Sequence, residues 1–335
     1  MHKEFLMGNA AIALGAVAAG VNVVAGYPGT PSTEVLETIA KHRPDDVYVE
    51  WSVNEKAAME LAAGASYAGA RSMVTMKQVG LNVASDPLMS LEYVGIKGGM
   101  VILVADDPGP ISSQTEQDTR HFSRFSKLPC FDPSSAQEAY EMIQEAFEYS
   151  EKYGTPVFLR PTTRVCHGYA SIMVKDETEY THHQPEGFIK DSKRWVIFPR
   201  LSFMNHQKIE ARNQELSDIF SSYEKNTIHP SCDAFKDSKK GIATGGISYT
   251  YTMETLKKTG MVKTLKIATP HPFPEKLAVD FLSGLDEVLC LEELDPVIER
   301  ELIYICGKYH LPTRINGKLS GHTACAGENT RDTIT

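Results

Sequence analysis

Short apolar runs alternate with helical stretches through the first 160 residues, and this alternation constrains the fold more than any other feature. Residues 21–25, 47–53, 72–76, 100–105 and 156–160 read as strands. Most of them are apolar on consecutive positions, so both faces of the sheet must be covered. The intervening stretches suit helices. Asn9 is placed to cap one running to about Ala19, and Thr30 to cap another with Pro31 at its first position. Ser135 and Glu138 have the spacing of a capping box for a long helix ending near Gly154. The expected architecture is α/β, a doubly wound parallel sheet.

Residues 181–235 differ, being polar with a basic stretch near Lys190–Arg194 and an amphipathic helix over 208–223. We expect a connector there. A second, smaller α/β unit follows over 236–320, with three strand–helix repeats, and then a tail over 321–335. The first unit is taken as residues 1–180.

The formal net charge of −9 and the lack of basic blocks give no reason to expect nucleic acid or an acidic membrane surface. The apolar run 10–24 has no basic start beyond Lys3 and passes directly into a Gly/Pro turn, so it is not expected to act as a signal, and its breaks at Gly15, Gly20 and Asn22 argue against a membrane span. Cytoplasmic residence is the expectation. The six cysteines include no C-x-x-C pair, which argues against a zinc site or iron–sulfur cluster within these residues. They read as mostly buried thiols. No histidine spacing suggests a metal site or a triad.

Chemistry concentrates on one carboxylate. After the strand at 47–53, Asn54 is a helix cap and Glu55 falls on the first helical turn. The helix from Lys56 to Gly69 carries Ala57, Ala58, Ala62, Ala63, Gly64, Ala65, Ser66 and Ala68. So little bulk implies close approach of another backbone or of a ligand. An acid at a helix start also serves stability alone, through the helix dipole. The turn Gly26-Tyr27-Pro28-Gly29-Thr30-Pro31-Ser32 follows another strand, and its amides and the Thr30 hydroxyl suit an anion. An ordinary tight turn with a threonine cap fits the same residues. The loop from Lys77 to Asn82, with Gln78 and Gly80, follows a third strand. A fourth strand leads to Asp106-Asp107-Pro108-Gly109-Pro110 and on to Arg120. The two aspartates suit a metal pair but more commonly lie solvated, and Arg120 suits either a substrate carboxylate or a surface ion pair.

The motifs Gly26–Ser32, Glu50–Ala58, Thr75–Pro87, Ala105–Gly109, Pro156–Val165, Cys290–Val297 and Gly327–Thr330 together resemble the α subunit of indolepyruvate:ferredoxin oxidoreductase. That is a thiamine diphosphate enzyme of the 2-oxoacid:ferredoxin oxidoreductase family. The resemblance implies a pyrimidine-binding domain followed by a transketolase C-terminal-like domain. It implies that Glu55 contacts the aminopyrimidine ring nitrogen and so promotes activation of the thiazolium carbon. Gly29, Gln78, Gly80 and Asn82 would lie around the cofactor, and Thr30 and Arg120 near the substrate carboxylate. Gln78 stands where many relatives are expected to carry histidine.

The implied reaction is oxidative decarboxylation of an aryl 2-oxo acid to acyl-CoA, with electrons passing to ferredoxin. The resembling subunits continue into diphosphate-binding and ferredoxin-like segments, whereas no Gly-Asp-Gly magnesium motif or cysteine cluster occurs in these 335 residues. The chain is therefore expected to offer the pyrimidine half of a site, to be inactive alone, and to assemble as a homo-oligomer with a β subunit. The diphosphate-binding part, with magnesium and iron–sulfur clusters, would lie on a continuation or a separate subunit. Two other readings fit: a subunit of a non-redox thiamine-dependent decarboxylase, and a non-catalytic assembly module.

Overall fold

A computed structural model describes residues 1–334. The first unit runs β1 (His2–Met7), α1 (Gly8–Ala18), β2 (Val23–Gly26), α2 (Thr33–His42), β3 (Tyr48–Trp51), α3 (Glu55–Tyr67), β4 (Ser72–Lys77) and α4 (Gln78–Val94). It continues with β5 (Met100–Ala105), α5 (Thr119–Phe125), β6 (Cys130–Phe131), α6 (Ala136–Tyr153), β7 (Val157–Leu159), α7 (Thr163–His167) and β8 (Tyr169–Val174). Six strands form one parallel sheet in the order β3-β2-β4-β5-β7-β6. Strand β5 is buried at every position, and its alternate side chains divide between two cores. Val101 and Leu103 pack with Ile12, Ile39 and Phe147 from α1, α2 and α6. Ile102 and Val104 pack with Met59 and Leu88 from α3 and α4. Helices thus cover both faces, as the apolar strands require.

Strands β1 and β8 pair antiparallel in a separate two-stranded ribbon. The spacing of apolar residues gives no sign of it, because the partners lie at opposite ends of the unit. Helix α1 begins at Gly8, not after Asn9. Asn9 is wholly buried and donates to the Pro31 carbonyl (2.7 Å) and to Glu34 (2.8 Å). Its amide ties two segments together where a cap was expected.

The connecting segment holds α8 (Ser192–Trp195) and α9 (Pro199–Phe220). The second unit runs β9 (Thr227–His229), β10 (Lys240–Gly245), α10 (Gly246–Thr259), β11 (Lys263–Ile267), α11 (Glu275–Leu282), β12 (Glu287–Leu291), α12 (Val297–Tyr309) and β13 (Arg314–Asn316). Its sheet has the order β13-β12-β10-β11-β9, parallel except for the edge strand β9. Residues 227–229, expected in the connector, therefore belong to the second unit. A short α13 (Arg331–Ile334) lies in the tail.

The two units share a core. Leu216, Phe220 and Tyr223 join the first-unit cluster together with Ile247 and Ala268 of the second. Phe220 and Tyr223 stack edge-on against Phe131. The Cys130 amide donates to His271 O (2.7 Å) and the Asp132 amide to Ala268 O (2.8 Å). Only half of the expected capping box at α6 forms. The Ser135 hydroxyl accepts from the Glu138 amide (3.2 Å), but Glu138 turns to Ser134 and to Lys266 of the second unit. Of the six free cysteines, Cys130, Cys166 and Cys290 are buried, Cys232 and Cys306 half-buried, and Cys325 exposed. No helix among the described residues is long and apolar enough to cross a membrane.

Candidate functional site

The carboxyl ends of β2, β3, β4 and β5 open onto one edge, where ligands gather in open parallel sheets. Helix α3 starts at Glu55 because Asn54 caps it, its Oδ1 accepting from the Ala57 amide (2.9 Å). The small residues of α3 serve close packing within the protein. Ala58, Ala62 and Ala63 are buried against the sheet and α4, and Ser72 donates to the Ala62 carbonyl (2.8 Å).

The half-buried Glu55 side chain lies directly over Gly80. A Cβ at position 80 would sit 2.5 Å from Glu55 Oε1 and 2.7 Å from its Cγ. Gly80 belongs to the first turn of α4, which begins at Gln78. The expected loop from Lys77 to Asn82 is thus a helix N-terminus, and two positive helix ends converge on one carboxylate.

The loop after β5 packs across this helix start. Gln78 Nε2 donates to the Thr115 carbonyl (3.0 Å), Asn82 Nδ2 to Gln117 (3.0 Å) and Lys77 Nζ to Gln114 (3.4 Å). Gln78 is 2% exposed, and its Oε1 has no partner. Gly29 lies beside Lys77, where a Cβ would come 3.1 Å from the lysine Cγ. Thr30 is exposed at the rim. It caps nothing: α2 begins at Thr33. The turn is closed instead by Thr33 Oγ1, which accepts from the Gly29 amide (2.9 Å), and by Ser32, which donates to the Gly29 carbonyl (3.0 Å).

Asp106 and Asp107 are both fully buried, not solvated. Burial pushes the Asp106 carboxyl up to about 6 against the pull of Arg160, whose Nε donates to it at 2.6 Å. Burial also acts on Asp107, but bonds from Thr163 and the Ser112 and Ser113 amides outweigh it and lower its pKa. These bonds anchor the loop (2.6, 2.8 and 2.9 Å).

Arg120, expected near a substrate carboxylate, is instead turned into the protein. It is 3% exposed, and its guanidinium is fully engaged. It bonds Asp118 (2.9 Å), Glu292 of the second unit (2.7 Å), and the carbonyls of Glu293 (2.7 Å) and Asp295 (2.8 Å). Burial works against the Asp118 charge, but Arg120 and Arg160 prevail and hold its carboxyl far below the usual range. The sequence signal for an alternative was weak, because Glu292 lies 172 positions away. The tail also reaches this loop, the Gly327 amide donating to Glu116 (3.0 Å).

Glu55, Gly80, Gln78, Asn82, Gly29 and Thr30 therefore lie along one edge, and Arg120 lies behind it. A carboxylate set between converging helix starts at the edge of a parallel sheet suits the pyrimidine-binding domain of a thiamine enzyme. In agreement, residues 14–229 match the family described as "Pyruvate flavodoxin/ferredoxin oxidoreductase, thiamine diP-bdg", and the chain belongs to that family. It is 43% identical over 324 residues to "Indolepyruvate oxidoreductase subunit IorA" of Methanothermobacter thermautotrophicus, covering 95% of this chain and 51% of that protein. The chain thus spans about half the length of that relative. Among solved structures, a 2-oxoglutarate:ferredoxin oxidoreductase from Magnetococcus marinus superposes with a TM-score of 0.74 at 17% identity, covering 94% of this chain and 62% of that one. A split-gene transketolase matches with a TM-score of 0.59 at 15% identity, covering 92% and 87%. At those identities the likeness is one of fold.

Proposed function

We propose that this chain supplies the pyrimidine half of the thiamine diphosphate site in an indolepyruvate:ferredoxin oxidoreductase. The observation that carries the reading is the Glu55 carboxylate lying over Gly80 at the sheet edge. The residues fit an aminopyrimidine. Gly80 leaves room for the Glu55 carboxylate against the start of α4, and the buried Gln78 Oε1 lacks a protein partner.

When bound, the cofactor supplies a carbon nucleophile for the 2-oxo group and accommodates the electron pair left as carbon dioxide departs. Glu55 would face the ring nitrogen and pass a proton between that atom and its carboxyl oxygens. Gly29, Gly80 and Asn82 form the walls, and the exposed Thr30 hydroxyl donates to the substrate carboxylate. The loop 107–118, tied to α4 by Gln78 and Asn82, borders that edge.

The overall reaction converts an aryl 2-oxo acid and coenzyme A to acyl-CoA and carbon dioxide, with electrons passing to ferredoxin. The diphosphate, its magnesium and the iron–sulfur clusters are assigned to other segments or to a partner, including a β subunit. A cytoplasmic homo-oligomer belongs to this reading.

The test reconstitutes the chain with a diphosphate-binding partner and follows indolepyruvate-dependent reduction of ferredoxin. Glu55→Gln is expected to lose at least ~100-fold in kcat, the scale of positioned proton transfer. Turnover equal to the parent would sink the assignment.

A further inference from the structure

Away from Glu55, helices α4 and α6 end side by side. Gly95 and Gly154 close them, and the Ile96 amide donates to the Gly154 carbonyl (3.2 Å). Helix α9 crosses both ends. Between the three lies a cavity of about 170 Å³ lined by Glu92, Tyr153, Asn205, Lys208 and Arg212.

Its polar groups are incompletely paired. Glu92 is only 5% exposed, yet its Oε1 is buried with no hydrogen-bond partner. The Tyr153 hydroxyl is buried and unpartnered too. Arg212 spends Nε and Nη2 on Asn213 and on the Lys127 carbonyl. Glu92 and Arg212 line the same cavity, but no ion pair joins them. Burial pushes the Glu92 carboxyl up to about 7 against the pull of Arg212, and leaving its charged form without a donor costs on the order of 1–3 kcal/mol or more. A cavity so built calls for a donor from outside the protein.

The walls differ in sign. Glu92 and the carboxyl ends of two helices make one side attractive to a cation. Lys208 and Arg212 on α9 make the other attractive to an anion.

We propose that this cavity binds a small zwitterion of the α-amino acid class. Its ammonium group meets Glu92 and the helix ends, and its carboxylate turns to Arg212 and Lys208. A lone cation leaves the α9 charges unmet, and a lone anion leaves Glu92 without a donor. Size agrees, since a cavity on the order of 150 Å³ holds a molecule as large as benzene. Alanine has the same number of heavy atoms. The cavity and Gly80 lie toward opposite ends of α4, a 17-residue helix about 25 Å long, so the two sites can be tested separately.

Calorimetry on the full chain at millimolar L-alanine, propionate and ethylamine tests this. L-Alanine is expected to bind at least ~10-fold more tightly than either half-molecule. Glu92→Gln, which keeps the side-chain shape, and Arg212→Met should each weaken alanine at least ~10-fold, the loss of one charge-assisted bond. If Arg212→Met fails to fold, Lys208→Met, at an exposed position, serves in its place. Glu55→Gln should leave alanine binding unchanged, so failure here is distinct from failure of the cofactor assignment. No heat with alanine, undiminished binding by Glu92→Gln, or propionate binding as tightly as alanine would each overturn the proposal. So would a crystal soaked in alanine that shows ordered water alone in the cavity.

Discussion

Position 80 lacks a side chain where Glu55 fills the space that one would occupy. Elsewhere in a helix, glycine is about 1 kcal/mol worse than alanine, so its presence in the first turn of α4 has a cost. Gly80→Ala therefore separates two effects. The new Cβ would recover helix propensity, and because the opposing atoms belong to the flexible Glu55 side chain, that chain would swing aside. We expect thermal stability equal to or slightly above the parent, with ferredoxin reduction in the reconstituted complex down at least ~10-fold. A fall in melting temperature with full activity would mean that Glu55 does not need its present place. Glu55 itself was legible in the sequence, since its cap, Asn54, and its strand are adjacent in the chain. The role of Gly80 was not, because what excludes a side chain there is a residue 25 positions earlier.

At the scale of elements, the start of α3 fixes the direction of Glu55, and the Asn54 cap fixes the start of α3. Asn54→Ala removes one acceptor from the exposed helix end and should lower stability by about 1 kcal/mol. A first turn that frays would also loosen Glu55, so kcat in the reconstituted complex should fall while global unfolding shifts only modestly. Chemical denaturation and kinetics on the same variant check both, and an unchanged denaturation midpoint would refute the cap. Five strands of the parallel sheet are legible because buried parallel strands are continuous apolar runs, whereas the two-residue β6 is too short to show one. Helix starts were read less well. Thr30 and Asn9 have cap chemistry, but Thr33 and Ser32 close the turn, and Asn9 is claimed by Pro31 and Glu34. A local signal names a residue able to cap and does not say what tertiary partner will take it.

For the whole molecule, the decisive contacts join segments that no local pattern connects. Glu292 accepts from three amides at the start of α12 and from Arg120 of the first unit. Arg120 in turn holds Asp118, at the end of the loop that crosses the start of α4. The second unit thus braces the proposed cofactor edge through one guanidinium. Arg120→Met would leave Glu292 buried without its counter-charge and Asp118 with Arg160 alone, and breaking such a set from one side costs about 3–5 kcal/mol. Adding Glu292→Gln to Arg120→Met should recover part of that loss, because one stranded charge is then gone. Had Arg120 faced a substrate, the single variant would instead keep its stability and raise KM. Urea unfolding of parent, single and double variants, followed by the same complex's KM for the 2-oxo acid, separates the two. Stability within about 0.5 kcal/mol of the parent, the range of ordinary surface changes, would remove Arg120 from the brace.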